Sequence, residues 1–191
     1  MKKILILLLI FIFVLTGCGM DKIGYGEKLQ SVANEMLEGA VDIEELLNQY
    51  SRIWSFSIEN RAAIPVNSMM DHMGFDKEVI EEYFPINAAG NLSNDFSTNI
   101  YSLQTYYEGT GKLDEIRNET EKIKNKVSEL NNPPPNYEKA YDELLDMYTF
   151  YEEFKEMALE PKESMKSFNE KKNSISSDIL SKYKRIDTLI P

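Results

Sequence analysis

The residue types that carry most protein chemistry are scarce in this 191-residue chain, which has one cysteine, Cys18, and one histidine, His72. His72 sits in Met69-Met70-Asp71-His72-Met73, where thioether and imidazole groups suit a soft metal such as copper(I). Against that reading, methionines fill irregular apolar gaps, and a lone histidine lacks the second histidine or cysteine that metal sites use. A single histidine also excludes two-histidine zinc motifs and the paired Glu-x-x-His pattern of di-iron bundles. There is no G-x-S-x-G elbow and no phosphate-binding glycine loop. Adjacent carboxylates such as Glu81-Glu82 and Glu152-Glu153 point apart on a helix and read as a solvated face. The expectation is a protein that is not an enzyme, with a hydrolase built on paired carboxylates as the catalytic alternative.

Eleven tyrosines stand against one tryptophan. Tyr107, Tyr141, Tyr148 and Tyr151, with their aromatic neighbours, fall on helices expected to be adjacent. They read first as packing with phenol tips at the core boundary, and second as the lining of a groove for a peptide, glycan or small ligand.

Cys18 has a more specific context. Lys2 and Lys3 precede an uninterrupted apolar run from Ile4 to Leu15, the charge and length layout of a secretory signal. As a helix that run rises only about 18 Å at ~1.5 Å per residue, short of a hydrocarbon core of roughly 30 Å. It ends in Leu15-Thr16-Gly17-Cys18, which resembles the bacterial lipobox. The resemblance covers the first twenty residues. It implies cleavage before Cys18, a diacylglyceryl thioether on that cysteine, and residence at the outer face of the bacterial cytoplasmic membrane. A covalent diacylglycerol is then the only lipid group, no other cofactor is expected, and the membrane is contacted through the anchor alone. At roughly 0.8 kcal/mol per buried methylene, two acyl chains hold a protein on a bilayer without a span. Lipidation also accounts for an odd cysteine in a secreted chain.

Lys2 and Lys3 are two of 21 basic residues, so residues 18–191 carry 19 basic against 32 acidic side chains, a net charge of −13. Phosphate backbones and anionic headgroups repel such a surface, which argues against nucleic acid and for a domain standing off the bilayer. A protein of the extracytoplasmic space or cell envelope is the expected partner.

The organisation expected is a signal peptide over 1–17, a flexible lipidated tether over 18–26, and a single helical domain over 27–191. Leu29, Val32, Ala33, Met36, Ala40, Ile43, Leu47, Tyr50, Ile53, Trp54 and Ile58 recur at three/four spacing and predict a helix over 27–62, with Leu37, Val41, Leu46 and Phe56 widening the stripe. A second stripe runs from Leu92 to Leu130 and keeps its phase across Gly109-Thr110-Gly111, which favours one kinked helix over two. Pro133-Pro134-Pro135 stops it. A third stripe, Tyr137 to Ala158, ends near Pro161, and a fourth with Pro161 in its first turn runs through Met165, Phe168, Ile175, Ile179, Tyr183, Ile186 and Ile190. Asn132-Pro133-Pro134-Pro135 leading into Tyr137 to Tyr151 is similar to uncharacterised small lipoproteins of Gram-positive bacteria, a likeness that implies no activity.

Four stripes with short connections between the last three predict an all-α fold, an elongated antiparallel up-and-down bundle of about four helices. Residues 63–91 are too long for a plain bundle turn and read as an irregular capping insert over one end, with a short helix from Asp76 to Phe84. Function sits most cheaply in such an insert. The sequence therefore points to a lipid-anchored binding or scaffolding module, with a small-ligand or metal carrier using 63–91 as the alternative.

Overall fold

The computed structural model describes residues 17–60, 62–162 and 164–190, with side chains from Gly24 onward. Leu15, Thr16 and the rest of the expected signal peptide lie outside the described residues, apart from the Gly17 backbone. The described residues form an all-α structure of seven helices and one two-stranded sheet. In chain order these are α1 (Gly17–Glu59), β1 (Ile64–Pro65), α2 (Val66–Met73), α3 (Lys77–Tyr83), β2 (Asn91–Leu92), α4 (Phe96–Gly109), α5 (Lys112–Glu129), α6 (Glu138–Leu159) and α7 (Met165–Leu189).

The stripe of α1 is buried from Leu29 to Trp54, and its side chains join one cluster of buried apolar residues with those of the other long helices. Two residues assigned to the stripe from sequence, Val41 and Ile58, are more than half exposed, because they fall outside the arc that faces the neighbouring helices. The expected tether is corrected: α1 runs through residues 18–26. Tyr25 donates to the Leu130 carbonyl at 2.7 Å, its ring lies 5.4 Å from that of Tyr137, and Gly26 is buried beneath the Tyr137 phenol.

The kinked second helix is also corrected to two. Gly111 adopts φ +79°, a left-handed conformation that glycine takes without strain, and it separates α4 from α5. Local chemistry sets the other ends. Asp95 accepts from the Ser97 amide at 3.1 Å to open α4, and Ser164 caps α7 through the Ser167 amide at 3.3 Å, which leaves Pro161 ahead of the helix and not in its first turn. Leu130 to Pro135 closes α5, with Asn132 at φ +70°.

Side-chain pairs fix the direction of each helix. Asn99 donates to Ser57, Tyr107 lies edge-on to Tyr50, Lys126 pairs with Glu35, and Tyr25 reaches Leu130, so α4 and α5 both run antiparallel to α1. Tyr50 bonds the Ala158 carbonyl and Tyr137 lies over Gly26, so α6 runs parallel to α1. Ser51 with Asn169, Ser176 with Glu44, and Tyr183 with Asn34 set α7 antiparallel to α1, and Lys182 with Glu143 and Asp146 sets it antiparallel to α6.

Residues 63–91 are more regular than the sequence suggested. β1 and β2 pair antiparallel, Ile64 opposite Leu92, and both residues are fully buried. The segment then folds back along the flank of α1 and α4 instead of lying over one end. His72 stacks on Phe56 of α1, with centroids 4.1 Å apart, while Phe75 and Tyr83 meet Tyr106 of α4.

Candidate functional site

The Cys18 backbone lies in the first turn of α1, and its side chain is outside what is described. No helix among the described residues is long and apolar enough to cross a membrane.

The soft-metal candidates fall on α2 and divide between two environments. Met69 and Met73, one turn apart, point into the core and are 0% and 3% exposed. Met70 is partly buried against the same core. His72 stands elsewhere, flat on Phe56, with Nε2 3.2 Å from the Arg52 carbonyl oxygen while the Arg52 guanidinium donates to the His72 carbonyl. The methionine sulfurs are thus used as packing, and the imidazole as a contact between α2 and α1. The adjacent carboxylates separate as expected for a helix surface: Glu81 pairs with Lys77 at 2.7 Å, and Glu152 takes Lys155 and the Tyr148 hydroxyl at 2.6 Å each, whereas Glu153 is exposed.

Of the four tyrosines proposed as a groove, Tyr148 and Tyr151 are neighbours on α6 with Tyr141 further along it, and Tyr107 stands on α4. Tyr151 is 1% exposed, its hydroxyl seated over Gly39 of α1. Tyr148 is held by Glu152, and Tyr141 neighbours Tyr25, whose hydroxyl is pushed up to about 12 by burial and by Tyr141. Burial raises the Tyr151 hydroxyl well above its ordinary range, with Glu119 adding to the effect. Tyr107 lines an open concavity.

That concavity, about 380 Å³, lies between α1 and the joint of α4 with α5. α1 supplies Asp42, Glu45, Leu46 and Gln49 to its wall, spaced one turn apart along one side. α4 supplies Tyr106 and Tyr107, and the α4–α5 break brings Thr110, Lys112 and Glu115 round to the third side. Lys112 lies 3.5 Å from Glu115, so part of its charge is matched at once. The Gln49 side-chain oxygen is shielded from solvent and has no hydrogen-bond partner among the described residues.

Aromatic contacts hold the tyrosine wall from both sides. Phe75 lies 5.0 Å and Tyr83 5.3 Å from Tyr106, Tyr106 lies 5.2 Å from Tyr107, and Tyr107 lies 6.2 Å edge-on from the buried Tyr50. Such offset and edge-to-face pairs contribute about 0.5–1.5 kcal/mol each beyond the area they bury. Tyr83 also sits tightly on Gly109, where an added Cβ would meet its hydroxyl at 2.9 Å. Burial raises the Tyr107 hydroxyl far above its ordinary range, with Tyr106 and Glu45 pushing the same way and Arg52 opposing. Tyr107 is therefore a neutral phenol at physiological pH.

Sequence reasoning found Tyr107 but not its partners. Asp42, Glu45 and Glu115 look like any solvated helix face, and only the break at Gly111 turns the start of α5 toward α1. The same seam carries a pH-sensitive group. Partial burial, reinforced by Asp42, raises the Glu119 carboxyl above its ordinary value, while Lys112 and Lys122 oppose. A carboxyl raised in the fold contributes stability below its unfolded pKa, and that contribution is lost as pH rises through the folded pKa. Glu119→Gln is therefore expected to raise the melting temperature at pH 7, with the gain shrinking to nothing at pH 3. An unchanged or lowered melting temperature at pH 7 would remove the assignment.

Compared with protein-family models, with curated proteins and with solved structures, the chain has no match.

Proposed function

We propose that this chain is a non-enzymatic helical binding or scaffolding module, anchored at the outer face of the bacterial cytoplasmic membrane by diacylglycerol on Cys18. The observation that carries the proposal is Leu15-Thr16-Gly17-Cys18 placed directly after a charged start and a twelve-residue apolar run. The architecture belongs to the same reading. It is an up-and-down bundle of four rods, α1, α4 with α5, α6 and α7, with residues 63–91 inserted between the first two. The alternating directions given by the side-chain pairs support it.

The partner is a protein of the extracytoplasmic space or cell envelope. The net charge of −13 on residues 18–191 supports a domain that approaches anionic lipid only through its anchor. Acylation is tested by growing cells with labelled palmitate and comparing the chain with Cys18→Ser. Label in the first and not the second, with the serine variant leaving the membrane fraction, is the expected result. A serine variant held as firmly in that fraction would overturn the anchor. Crosslinking the anchored chain in its own cells tests the module: a reproducible envelope partner is expected, and its consistent absence counts against the reading.

A further inference from the structure

We infer that the cleft between α1 and the α4–α5 joint binds a small organic cation, a molecule carrying a protonated amine on a short apolar stem. The inference rests on the binding-module reading and names the ligand class for it. Three features of the cleft converge on that chemistry. The charges on its wall do not cancel: Asp42, Glu45 and Glu115 stand against Lys112 alone, and Lys112 is already paired with Glu115. Carboxylates of one sign around a concave surface focus their field and attract a cation more strongly than the same groups on an open face.

The second feature is Tyr106 and Tyr107. Phenol rings next to carboxylates attract cations through the ring quadrupole and give an alkyl stem apolar area to cover. Leu46 adds to that area. The third is the Gln49 amide, whose oxygen lacks a hydrogen-bond partner among the described residues. An unsatisfied shielded acceptor on a residue of this wall gains from taking a donor such as an ammonium.

Two other concavities lack this combination. The one beside the sheet is walled by Asn87, Asn91 and Asn94, but the Asn87 side chain already accepts from Ala89 and Asn91, and Asn94 donates to the Asn60 carbonyl. In the one near the start of α1, Lys28 and Lys126 balance Glu35 and Glu129, and Lys126 is paired with Glu35. A volume of about 380 Å³ suits a ligand of amino-acid size or somewhat larger.

The test titrates the full-length chain in nonionic detergent, with 13C-labelled tyrosine, using n-butylammonium, the uncharged 1-butanol and acetate. Tyr106 and Tyr107 signals are assigned by their phenylalanine variants. Saturable shifts of these two signals with n-butylammonium are expected, with 1-butanol at least tenfold weaker and acetate without effect. Asp42 and Glu45 are exposed, so Asp42→Asn with Glu45→Gln keeps the fold and is expected to lower amine affinity at least tenfold. Equal binding of 1-butanol, full amine affinity in the double variant, or shifts that never saturate would each overturn the inference. None of those results touches the module itself, which stands or falls on the crosslinked partner.

Discussion

Phe168→Ala lowers the stability of the fold by about 3–5 kcal/mol, the range for removing a large aromatic ring from a packed core. Phe168 is 1% exposed on α7 and lies between two other rings, 6.5 Å from Tyr50 and 5.8 Å from Trp54 on α1. Both neighbours are held elsewhere, Tyr50 by its bond to the Ala158 carbonyl and Trp54 by stacking on Phe96 at 5.5 Å, so neither can collapse into the space left behind. A cavity that cannot close costs more than the transfer free energy alone. Against a total of about 5–15 kcal/mol the loss is large, and at roughly 2–4 °C per kcal/mol the melting temperature falls by about 6–20 °C. Trp54, 4% exposed and the only tryptophan, reports the same event through its fluorescence. A loss under about 1 kcal/mol in denaturant melts would mean that α7 does not pack on α1 through this ring.

The second large effect is a contrast between two glycines of α1. Alanine is favoured over glycine inside a helix by about 1 kcal/mol, so each replacement starts from the same gain. At Gly24 nothing stands within 4 Å of an added Cβ, and Gly24→Ala is expected to realise that gain. At Gly39 the Cβ would collide with the Tyr151 hydroxyl oxygen and stand 3.2 Å from its ring. Tyr151 is a stiff, fully buried side chain, so it or the helix must shift. Overpacking of this kind costs about 1–3 kcal/mol, and here part of the helix gain is lost as well. Gly39→Ala is expected to be net destabilising, and adding Tyr151→Phe, which removes the clashing oxygen, is expected to recover part of the loss. Stabilisation by Gly39→Ala would show that α1 and α6 approach less closely at this point.

The three/four stripes made most of the all-α fold legible, because burial of a helix face leaves a period in the sequence wherever the helix is long. They failed where two structures share one period. The run from Leu92 to Leu130 keeps its phase across Gly109 to Gly111 because α4 and α5 both bury against α1, and the common partner, not a continuous helix, preserves the register. Met69 and Met73 span a single turn of an eight-residue helix, too short to show any period, so α2 read as irregular. Tyr25 and Gly26 read as tether because the contact that orders them, the Leu130 carbonyl with the Tyr137 ring, lies more than a hundred residues away.

The candidate site was legible only in part, for a related reason. A cleft made from three helix segments depends on where a chain break points its next turn. Asp42, Glu45 and Glu115 have no local pattern that separates them from the acidic residues covering the rest of the surface. The chain of rings from Phe75 through Tyr106 and Tyr107 to Tyr50 was equally hidden, since it joins the insert, α4 and α1 across the fold.

The unbroken course of α1 also fixes a height. If Cys18 carries the proposed diacylglycerol, the lipid would sit on the first turn of a helix that continues to Glu59. At ~1.5 Å per residue, Glu45 and the mouth of the cleft stand about 40 Å along that axis from Cys18, and the Glu59 end about 60 Å. On the proposed anchor, such a post would set a minimum reach for anything that must touch both the bilayer and the cleft.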